Sequence, residues 1–317
     1  MRASAIFPGQ GSQVVGMGVE IARASPAARA VFECANRVLG YDVLALQENG
    51  PEERLRETVF SQPAIFTTNV ALYAASSDLL EPIASAGHSF GELCSLTIAG
   101  ALSLEAAVSI VDARAHAMQH AAQMAPGAMA AILGIDAPAI RAVVEETTRE
   151  SGAEVQLANF NAPSQIVISG DREAVNRACE ALLEAGAKRV VPLNVSGAWH
   201  SRLMEPAVAP FERAVNAAAI HMPAFDVVSN VDARVYRDVK GIRSNLVRSI
   251  TSEVRWHDAA LQLLSYDLDL VVEFGATPVL APLFRRLPQA PAVVNVSDSA
   301  GIEKLKGALH QGMRAAT

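Results

Sequence analysis

The chain has 317 residues, 51% hydrophobic and 19% charged, which is the composition of a globular protein and excludes a disordered chain. Its formal net charge of −7 argues against nucleic acid as the main partner. The sequence contains neither the roughly 18 consecutive apolar residues of a membrane span nor an apolar N-terminal run of signal-peptide length.

The first predicted elements are a strand over 3–7, the loop Pro8-Gly9-Gln10-Gly11-Ser12-Gln13 and a helix near 17–23. A nucleotide site has the same order, but this loop lacks the third glycine of GxGxxG, because position 14 is Val14, and it lacks the P-loop lysine. The loop therefore indicates accessible backbone N–H groups. Three more helices are predicted, over 27–38, 52–57 and 63–80. Pro63 then lies in a first turn, where its missing N–H costs nothing.

The run Gly87-His88-Ser89-Phe90-Gly91 fits G-x-S-x-G, the nucleophile elbow, in which a serine lies on a strained turn between a strand and a helix. The pattern alone recurs by chance, so its flanks matter. An apolar run over 79–86 predicts the end of a buried strand, and helical spacing predicts a helix over 92–99. A helix that begins at the serine presents free N–H groups to an oxyanion. The segment therefore predicts Ser89 as a nucleophile.

Arg114 interrupts the apolar stripe of the helix predicted over 104–122, since it lies four positions after Ile110 and four before Met118. An unpaired buried charge is strongly unfavourable. Arg114 must therefore pair with an internal carboxylate, which is the commoner case, extend outward to solvent, or receive an anionic substrate. A guanidinium suits a substrate carboxylate because it can donate two parallel hydrogen bonds.

The segment 127–195 has its own order of elements. Strands are predicted over 129–133, 155–159, 166–169 and 189–195, with helices over 137–149 and 173–185. This βαββαβ order is that of a ferredoxin-like unit. Further strands are predicted over 225–229 and 268–274, followed by a helix near Pro278. We therefore predict an α/β fold in which a large domain, 1–126 and 196–317, carries an inserted small subdomain, 127–195.

A serine nucleophile needs a base, and the chain has seven histidines. His88 adjoins the serine, but neighbours in an elbow point in different directions. His116 and His120 have helical spacing without the glutamate of HExxH or a third ligand, so no metal site is predicted. His200 follows a predicted strand and a loop of small residues, and it comes after the serine in chain order, as in other elbow enzymes. A histidine packed beside Trp199 is the alternative. No carboxylate stands out as a third member, so a dyad oriented by a backbone carbonyl stays open.

Seven motifs in order along the chain resemble one family. They are Phe7-Pro8-Gly9-Gln10-Gly11-Ser12-Gln13, Gln62-Pro63-Ala64, Gly87-His88-Ser89-Phe90-Gly91-Glu92, Arg114, Asn159-Phe160-Asn161-Ala162-Pro163, Gly197-Ala198-Trp199-His200-Ser201 and Val254-Arg255-Trp256. Over about residues 3–290 the sequence resembles the malonyl-CoA:acyl carrier protein transacylase family, including the discrete acyltransferases that serve polyketide synthases. The resemblance implies an α/β-hydrolase-like large domain with a ferredoxin-like insertion.

The resemblance also implies catalytic roles. Ser89 would be the nucleophile and His200 its base, and the backbone N–H groups of Gln10 and Phe90 would form the oxyanion hole. The family orients its histidine by a main-chain carbonyl, which here belongs to Ser249. Glutamine is usual at that position, but the role belongs to the backbone and does not require that side chain.

Substrate roles follow from the same resemblance. Arg114 would hold the free carboxylate of a malonyl group, with Gln62 and His88 as helpers. The implied reaction transfers malonyl from malonyl-CoA to the phosphopantetheine thiol of an acyl carrier protein, for fatty acid or polyketide biosynthesis, without a metal or dissociable cofactor. The bulky Phe90 and Trp199 beside the two catalytic residues raise the question of pocket size.

Other readings stay open. An acyl hydrolase that clears carrier proteins would use the same serine and histidine but has no need of Arg114. An acyltransferase for a substituted malonyl unit would use the whole set. A non-catalytic scaffold would not need every one of these residues intact.

The expected partner is acidic, as this chain is, so docking requires a local basic patch. The candidates are Lys188-Arg189, at the start of the last subdomain strand, and Arg285-Arg286, which we place on the C-terminal helix. The three cysteines are scattered and lack CxxC spacing, as is typical of reduced residues in a cytoplasmic protein. We expect a cytoplasmic monomer.

Overall fold

Within residues 1–315, which the computed structural model describes, nine strands form two separate sheets. Side chains are described for residues 1–311. The strands in chain order are β1 (Ala3–Phe7), β2 (Ala84–Gly87), β3 (Gly127–Leu133), β4 (Val155–Ala162), β5 (Gln165–Asp171), β6 (Arg189–Pro192), β7 (Asp226–Val228), β8 (Leu270–Phe274) and β9 (Ala292–Val296).

Fourteen helices accompany these strands in the described part of the chain. They are α1 (Val19–Ala24), α2 (Pro26–Leu39), α3 (Val43–Asn49), α4 (Glu52–Arg56), α5 (Thr58–Ala74), α6 (Gly91–Ile98), α7 (Leu104–Met124), α8 (Ala137–Ser151), α9 (Arg172–Glu184), α10 (Glu205–Ala217), α11 (Val239–Arg248), α12 (Trp256–Leu264), α13 (Ala281–Phe284) and α14 (Ser299–Ala315). Within residues 1–315, none of these helices combines the length and the apolar content that crossing a bilayer requires.

The first sheet is parallel, with the order β7-β2-β1-β8-β9, so β1 lies at its centre. Every residue of β1, β2 and β8 is buried, as expected where helices cover both faces of a parallel sheet. Phe7 at the end of β1 is in register with Gly87 at the end of β2. Because carboxyl ends of parallel strands meet at one edge, the glycine loop after β1 and the elbow after β2 lie side by side.

The second sheet is antiparallel, with the order β4-β5-β3-β6, and α8 and α9 pack against it. This arrangement is the ferredoxin-like unit that the βαββαβ order predicts. Its core includes Ile132, Ile140, Ile168 and Leu182, all fully buried. The predicted fold class, an α/β protein with a separate small sheet, is confirmed. The domain boundaries at 126/127 and 195/196 stay a prediction.

Strand β4 joins the small sheet to the rest of the chain. The Phe160 N–H donates to the Val254 carbonyl at 2.8 Å, and the Val254 N–H donates to the Ala158 carbonyl at 2.8 Å. These bonds extend the pairing of β4 onto the segment before α12. Polar side chains of β4 are thereby held beside the elbow.

The helix predicted over 63–80 has different bounds. It begins at Thr58 and ends at Ala74, so Pro63 lies inside α5 and not in its first turn. Ser61 and Gln62 are polar, which excludes them from an apolar pattern, yet both are fully buried. The predicted start is wrong because α5 turns buried polar residues toward the interior.

The placement of Arg285 and Arg286 on the C-terminal helix is also wrong. Both lie in the turn after the four-residue helix α13, and the chain then enters β9, which the sequence analysis does not predict. β9 is a partly exposed edge strand paired with β8, so its pattern is weak. The Arg285 Nη2 donates to the Val293 carbonyl of β9 at 3.0 Å.

Candidate active site

Ser89 lies on a strained turn between β2 and α6. Its φ of 54° is in the left-handed region, which non-glycine residues rarely adopt. A Cβ at Gly87 would lie 1.9 Å from the carbonyl carbon of Gly91, and a Cβ at Gly91 would lie 2.4 Å from the Phe7 oxygen. The turn is therefore closed too tightly for any side chain at either glycine. This geometry is that of a nucleophile elbow.

His200 lies within hydrogen-bond distance of the serine. Its Nε2 is 2.8 Å from Ser89 Oγ, and its Nδ1 is 2.8 Å from the carbonyl oxygen of Ser249. Because a carbonyl only accepts, Nδ1 carries the proton and Nε2 is free to accept from the serine. Burial, and next the positive charge of Arg114, lower the pKa of His200 to about 3, so the ring is neutral at ordinary pH. The pair has the arrangement of a nucleophile and a general base.

The backbone of His200 is strained as well, with a φ of 60°. Gln156 on β4 donates through Nε2 to the carbonyls of His200, at 3.2 Å, and Thr251, at 3.3 Å. Its Oε1 accepts from the Arg202 N–H at 3.0 Å. One side chain of the small sheet thus binds two segments outside that sheet, the segment 200–202 and the segment at Thr251. Sequence reasoning missed Gln156, because no local pattern marks it.

Arg114 on α7 is 2% exposed and faces the serine. Its Nη2 donates to Ser89 Oγ at 3.1 Å and its Nη1 donates to Gln62 Oε1 at 2.8 Å. No carboxylate oxygen among the described residues lies within 4.0 Å of its guanidinium. Burial lowers the pKa of Arg114 to about 10, with the charge of Glu92 opposing, so it remains a cation at neutral pH. In the described part of the chain, Arg114 therefore neither pairs with an internal carboxylate nor extends to solvent. The remaining possibility is that it receives an anionic substrate.

The two residues that the resemblance makes helpers lie in different places. Gln62 is fully buried behind Arg114 and accepts its hydrogen bond, and it does not line the cavity. His88 lines the cavity, and its Nε2–H donates to Asn161 Oδ1 at 2.9 Å. Burial lowers the pKa of His88, so it is neutral near pH 7. Gln62 therefore supports the guanidinium, whereas His88 ties the elbow to β4.

The two backbone donors expected for an oxyanion lie on adjacent segments. The N–H groups of Gln10 and Phe90 have no acceptor among the described residues. The Gln10 side chain itself donates to Thr58 Oγ1 at 3.3 Å. A Cβ at Gly9 would lie 2.7 Å from the His88 oxygen, so only glycine lets the loop approach the elbow this closely.

A cavity of about 510 Å³ contains this cluster. Its lining comes from the glycine loop, α4, the elbow, α7, β3, β4 and the segment after β6. The lining residues nearest the chemistry are Gln10, His88, Ser89, Arg114, Asn159, Trp199 and His200. The described residues contain no group of three His, Cys, Asp or Glu side chains placed to hold a metal ion.

A serine on an elbow, a neutral histidine base and two unused backbone donors define the class of serine acyl-transfer enzymes, which includes transferases and hydrolases. The acyl transferase domain family matches residues 5–306. The chain therefore belongs to the acyl transferase family.

Individual relatives match over most of both chains. The chain is 40% identical to the malonyl CoA-acyl carrier protein transacylase of Bacillus subtilis (strain 168), over 94% of each chain. Among solved structures, a malonyl-transacylase in complex with a type II polyketide synthase acyl carrier protein has a TM-score of 0.92 and 36% identity, covering 98% of this chain and 100% of that one. The malonyl CoA-acyl carrier protein transacylase of Coxiella burnetii has a TM-score of 0.92 and 34% identity, covering 98% of each.

Proposed function

We propose that the protein transfers a malonyl group from malonyl-CoA to the phosphopantetheine thiol of an acyl carrier protein, for fatty acid or polyketide biosynthesis. The observation that carries this proposal is the Arg114 guanidinium, which is buried, has no carboxylate partner among the described residues and lies 3.1 Å from Ser89 Oγ. A substrate with a free carboxylate beside its thioester would supply the missing anion. Relatives named malonyl CoA-acyl carrier protein transacylase support the same reaction.

In the first half-reaction Ser89 Oγ attacks the thioester carbonyl of malonyl-CoA while His200 Nε2 takes the hydroxyl proton. The backbone N–H groups of Gln10 and Phe90 stabilise the oxyanion, and losing one such donor typically costs about 10²–10³ in rate. The tetrahedral intermediate collapses, the C–S bond breaks and the His200 imidazolium returns the proton to the coenzyme A thiolate. A malonyl-serine ester remains.

In the second half-reaction the carrier's phosphopantetheine thiol takes the place of coenzyme A. His200 removes the thiol proton, the thiolate attacks the ester carbonyl, and Ser89 leaves with the proton that His200 returns. The cycle is ping-pong, with one covalent intermediate. Each proton removed is returned by the same histidine, so the proposed cycle requires no metal or dissociable cofactor.

Arg114 affects the base as well as the substrate. Its positive charge is the second cause, after burial, of the low pKa of His200. A malonyl carboxylate bound to the guanidinium would neutralise that charge, and His200 would become a stronger base. An anionic acyl group is therefore favoured in the chemical step as well as in binding.

An acyl hydrolase is the alternative within the same class. It would use Ser89 and His200 in the same way, but neither water nor an uncharged acyl group needs a buried cation beside the nucleophile. Transfer of a substituted malonyl unit remains compatible with Arg114. The cavity must then accommodate the added group beside Trp199, since Phe90 is buried and does not line the cavity. We further propose a cytoplasmic monomer, and the unpaired thiols of Cys34, Cys94 and Cys179 support a reducing compartment.

Mass spectrometry of the intact protein tests the proposal. The protein is incubated with malonyl-CoA, methylmalonyl-CoA and acetyl-CoA in separate reactions, and any adduct is mapped to its residue. We expect a malonyl adduct on Ser89, little acetyl adduct, and no adduct on the Ser89→Ala variant. Equal acylation by acetyl-CoA and malonyl-CoA would contradict the role of Arg114 and favour the hydrolase.

A further inference from the structure

A buried polar network lies behind the elbow and outside the cavity. It consists of Glu92 on α6, Asn230 after β7, and Tyr236, and none of the three lines the cavity. All three are almost fully buried. Buried polar groups are unfavourable unless they bind one another well, so a network of this kind needs an explanation. The reaction proposed above uses none of the three side chains.

Asn230 binds both backbone groups of the nucleophile. Its Oδ1 accepts from the Ser89 N–H at 3.1 Å, and its Nδ2 donates to the Ser89 carbonyl at 2.7 Å. The Glu92 N–H donates to the same carbonyl at 3.2 Å, so both lone pairs of the Ser89 oxygen are occupied. A residue in the left-handed region persists only when its surroundings hold it there. Asn230 supplies that restraint for Ser89.

The same contact sets the direction of the Phe90 N–H. The Ser89 carbonyl and the Phe90 N–H belong to one planar trans peptide, in which C=O and N–H point in opposite directions. Fixing the Ser89 carbonyl toward Asn230 therefore points the Phe90 N–H away from it. That N–H has no acceptor among the described residues, whereas the Ser89 N–H is occupied by Asn230. Phe90, and not Ser89, is thus left as the donor for an oxyanion.

Glu92 and Tyr236 determine which way the Asn230 carboxamide faces. Glu92 Oε2 accepts from the Asn230 backbone N–H at 3.0 Å and from Asn230 Nδ2. Because Nδ2 faces Glu92, the Oδ1 atom of Asn230 faces the Ser89 N–H. The Tyr236 hydroxyl donates to Glu92 Oε1. Burial raises the pKa of Glu92 to about 7, and the hydrogen bonds from Tyr236 and Asn230 oppose that rise because they stabilise the carboxylate.

We propose that Asn230 is a positioning residue for acyl transfer: held by Glu92 and Tyr236, it clamps the strained Ser89 peptide and aims the Phe90 N–H at the oxyanion. The proposal rests on the function proposed above, because it concerns the same reaction. The network does not contact substrate, so it acts on the rate of acylation and not on the binding of malonyl-CoA.

Single-turnover acylation by malonyl-CoA, stopped in acid and read by intact-protein mass spectrometry, tests the proposal. We expect Asn230→Ala to slow acylation by about 100-fold, as for loss of one oxyanion donor. The Kd for malonyl-CoA, compared between Ser89→Ala and Ser89→Ala/Asn230→Ala, should be unchanged. Tyr236→Phe removes only one oxygen atom and should slow acylation by about tenfold. This variant tests the proposal if Asn230→Ala does not fold.

Because Tyr236 acts through Asn230, the double variant Asn230→Ala/Tyr236→Phe should be no slower than Asn230→Ala alone. Two matched controls contain the same groups elsewhere. Asn36→Ala removes a half-buried amide that binds the Asp42 carboxylate and the Val43 N–H, and Tyr266→Phe removes a hydroxyl that binds Asp226. Neither contacts Ser89, and we expect both controls to acylate at the wild-type rate.

Two kinds of failure are distinguishable. A wild-type protein that forms no malonyl ester overturns the proposed function and this inference with it. If the wild-type protein is acylated normally, an Asn230→Ala variant that is equally fast overturns the positioning role alone. An equal loss of rate in the control Asn36→Ala would overturn it as well. Weaker malonyl-CoA binding that accounts for the whole loss of rate would also overturn it.

Discussion

His88 precedes Ser89 in the sequence, whereas His200 lies beside the Ser89 hydroxyl in the folded chain. Only His200 is placed to act as the base. His200 Nε2 is 2.8 Å from Oγ, whereas His88 binds Asn161. We expect His200→Ala to slow both half-reactions by about 10²–10⁴-fold, the usual contribution of a general base. His88→Ala is the matched control, and it should retain most of the acylation rate in a quenched-flow assay. The opposite ranking of the two variants would mean that the base is misassigned.

In the proposed function, Arg114 is the residue that separates malonyl from uncharged acyl groups. Arg114→Ala removes a charge-assisted hydrogen bond to the substrate carboxylate, worth about 1.5–3 kcal/mol. The kcat/KM for malonyl transfer should fall by about 10- to 100-fold relative to acetyl transfer. The two substrates are compared in competition on one enzyme sample. Equal falls for both would show that Arg114 only supports the fold.

The same substitution has a consequence for pH. The cation of Arg114 disfavours a second positive charge on His200 and so lowers its pKa, after burial, to about 3. Removing the cation raises the pKa of His200, and a larger fraction of the base is then protonated in mild acid. The acid limb of the acylation rate should therefore move to higher pH in Arg114→Ala. Acetyl-CoA is the substrate for this profile because its acyl group carries no charge that Arg114 would bind. A limb that stays in place or moves to lower pH would contradict the coupling.

Some of this site is predictable from local sequence and some is not. Ser89 is marked by two glycines, and Arg114 is marked as a charge in an apolar stripe, because both signals lie within one element. Asn230 acts on Ser89 from 141 positions away, and it does so through the serine's backbone, which leaves no trace in the residue pattern. Gln156 holds the His200 carbonyl in the same manner.

At the scale of elements, the turn between β2 and α6 depends on close backbone approach. A Cβ at Gly87 would lie 1.9 Å from the Gly91 backbone, which can move only if β2 and α6 separate. Gly87→Ala should lower the free energy of unfolding by several kcal/mol, or prevent folding, in urea titrations followed by circular dichroism.

Gly307→Ala is the control for this prediction. Gly307 lies inside α14, and an added Cβ there would meet nothing within 4 Å. Alanine is the better helix former, so this variant should be about 0.5–1 kcal/mol more stable. Loss of stability by the same amount at both positions would contradict the account of the elbow.

Helices and strands are predicted correctly where the hydrophobic period and the turn-forming residues indicate the same element. The βαββαβ segment has alternating apolar strands between amphipathic helices, and the structure has the same order. The start of α5 is missed because Ser61 and Gln62 are polar residues that are nevertheless buried. Strand β9 is missed because an edge strand does not need apolar residues on both faces. In each case the surroundings in the folded molecule, and not the local pattern, determine the element.

Across the whole molecule, the proposed function requires a chain of net charge −7 to bind a carrier protein that we expect to be acidic as well. Lys188 and Arg189 are exposed at the start of β6, and the segment that follows this strand lines the cavity. Reversing both charges should raise the KM for carrier protein and leave acylation by malonyl-CoA unchanged. Reversal of the exposed Lys240 and Lys304, which alters net charge equally, should not. A carrier KM that responds to neither pair, nor to salt, would exclude this docking surface.

In the proposed function, a malonyl ester on Ser89 is the intermediate from which the carrier protein takes the malonyl group. The most direct measurement isolates the malonyl-enzyme, adds phosphopantetheinylated carrier protein, and follows enzyme, carrier and free malonate together by mass spectrometry. We expect the adduct to map to Ser89 and its loss from the enzyme to equal its gain on the carrier thiol, with little free malonate. An adduct on another residue, or release of malonate at the same rate with and without carrier, would contradict the proposed function.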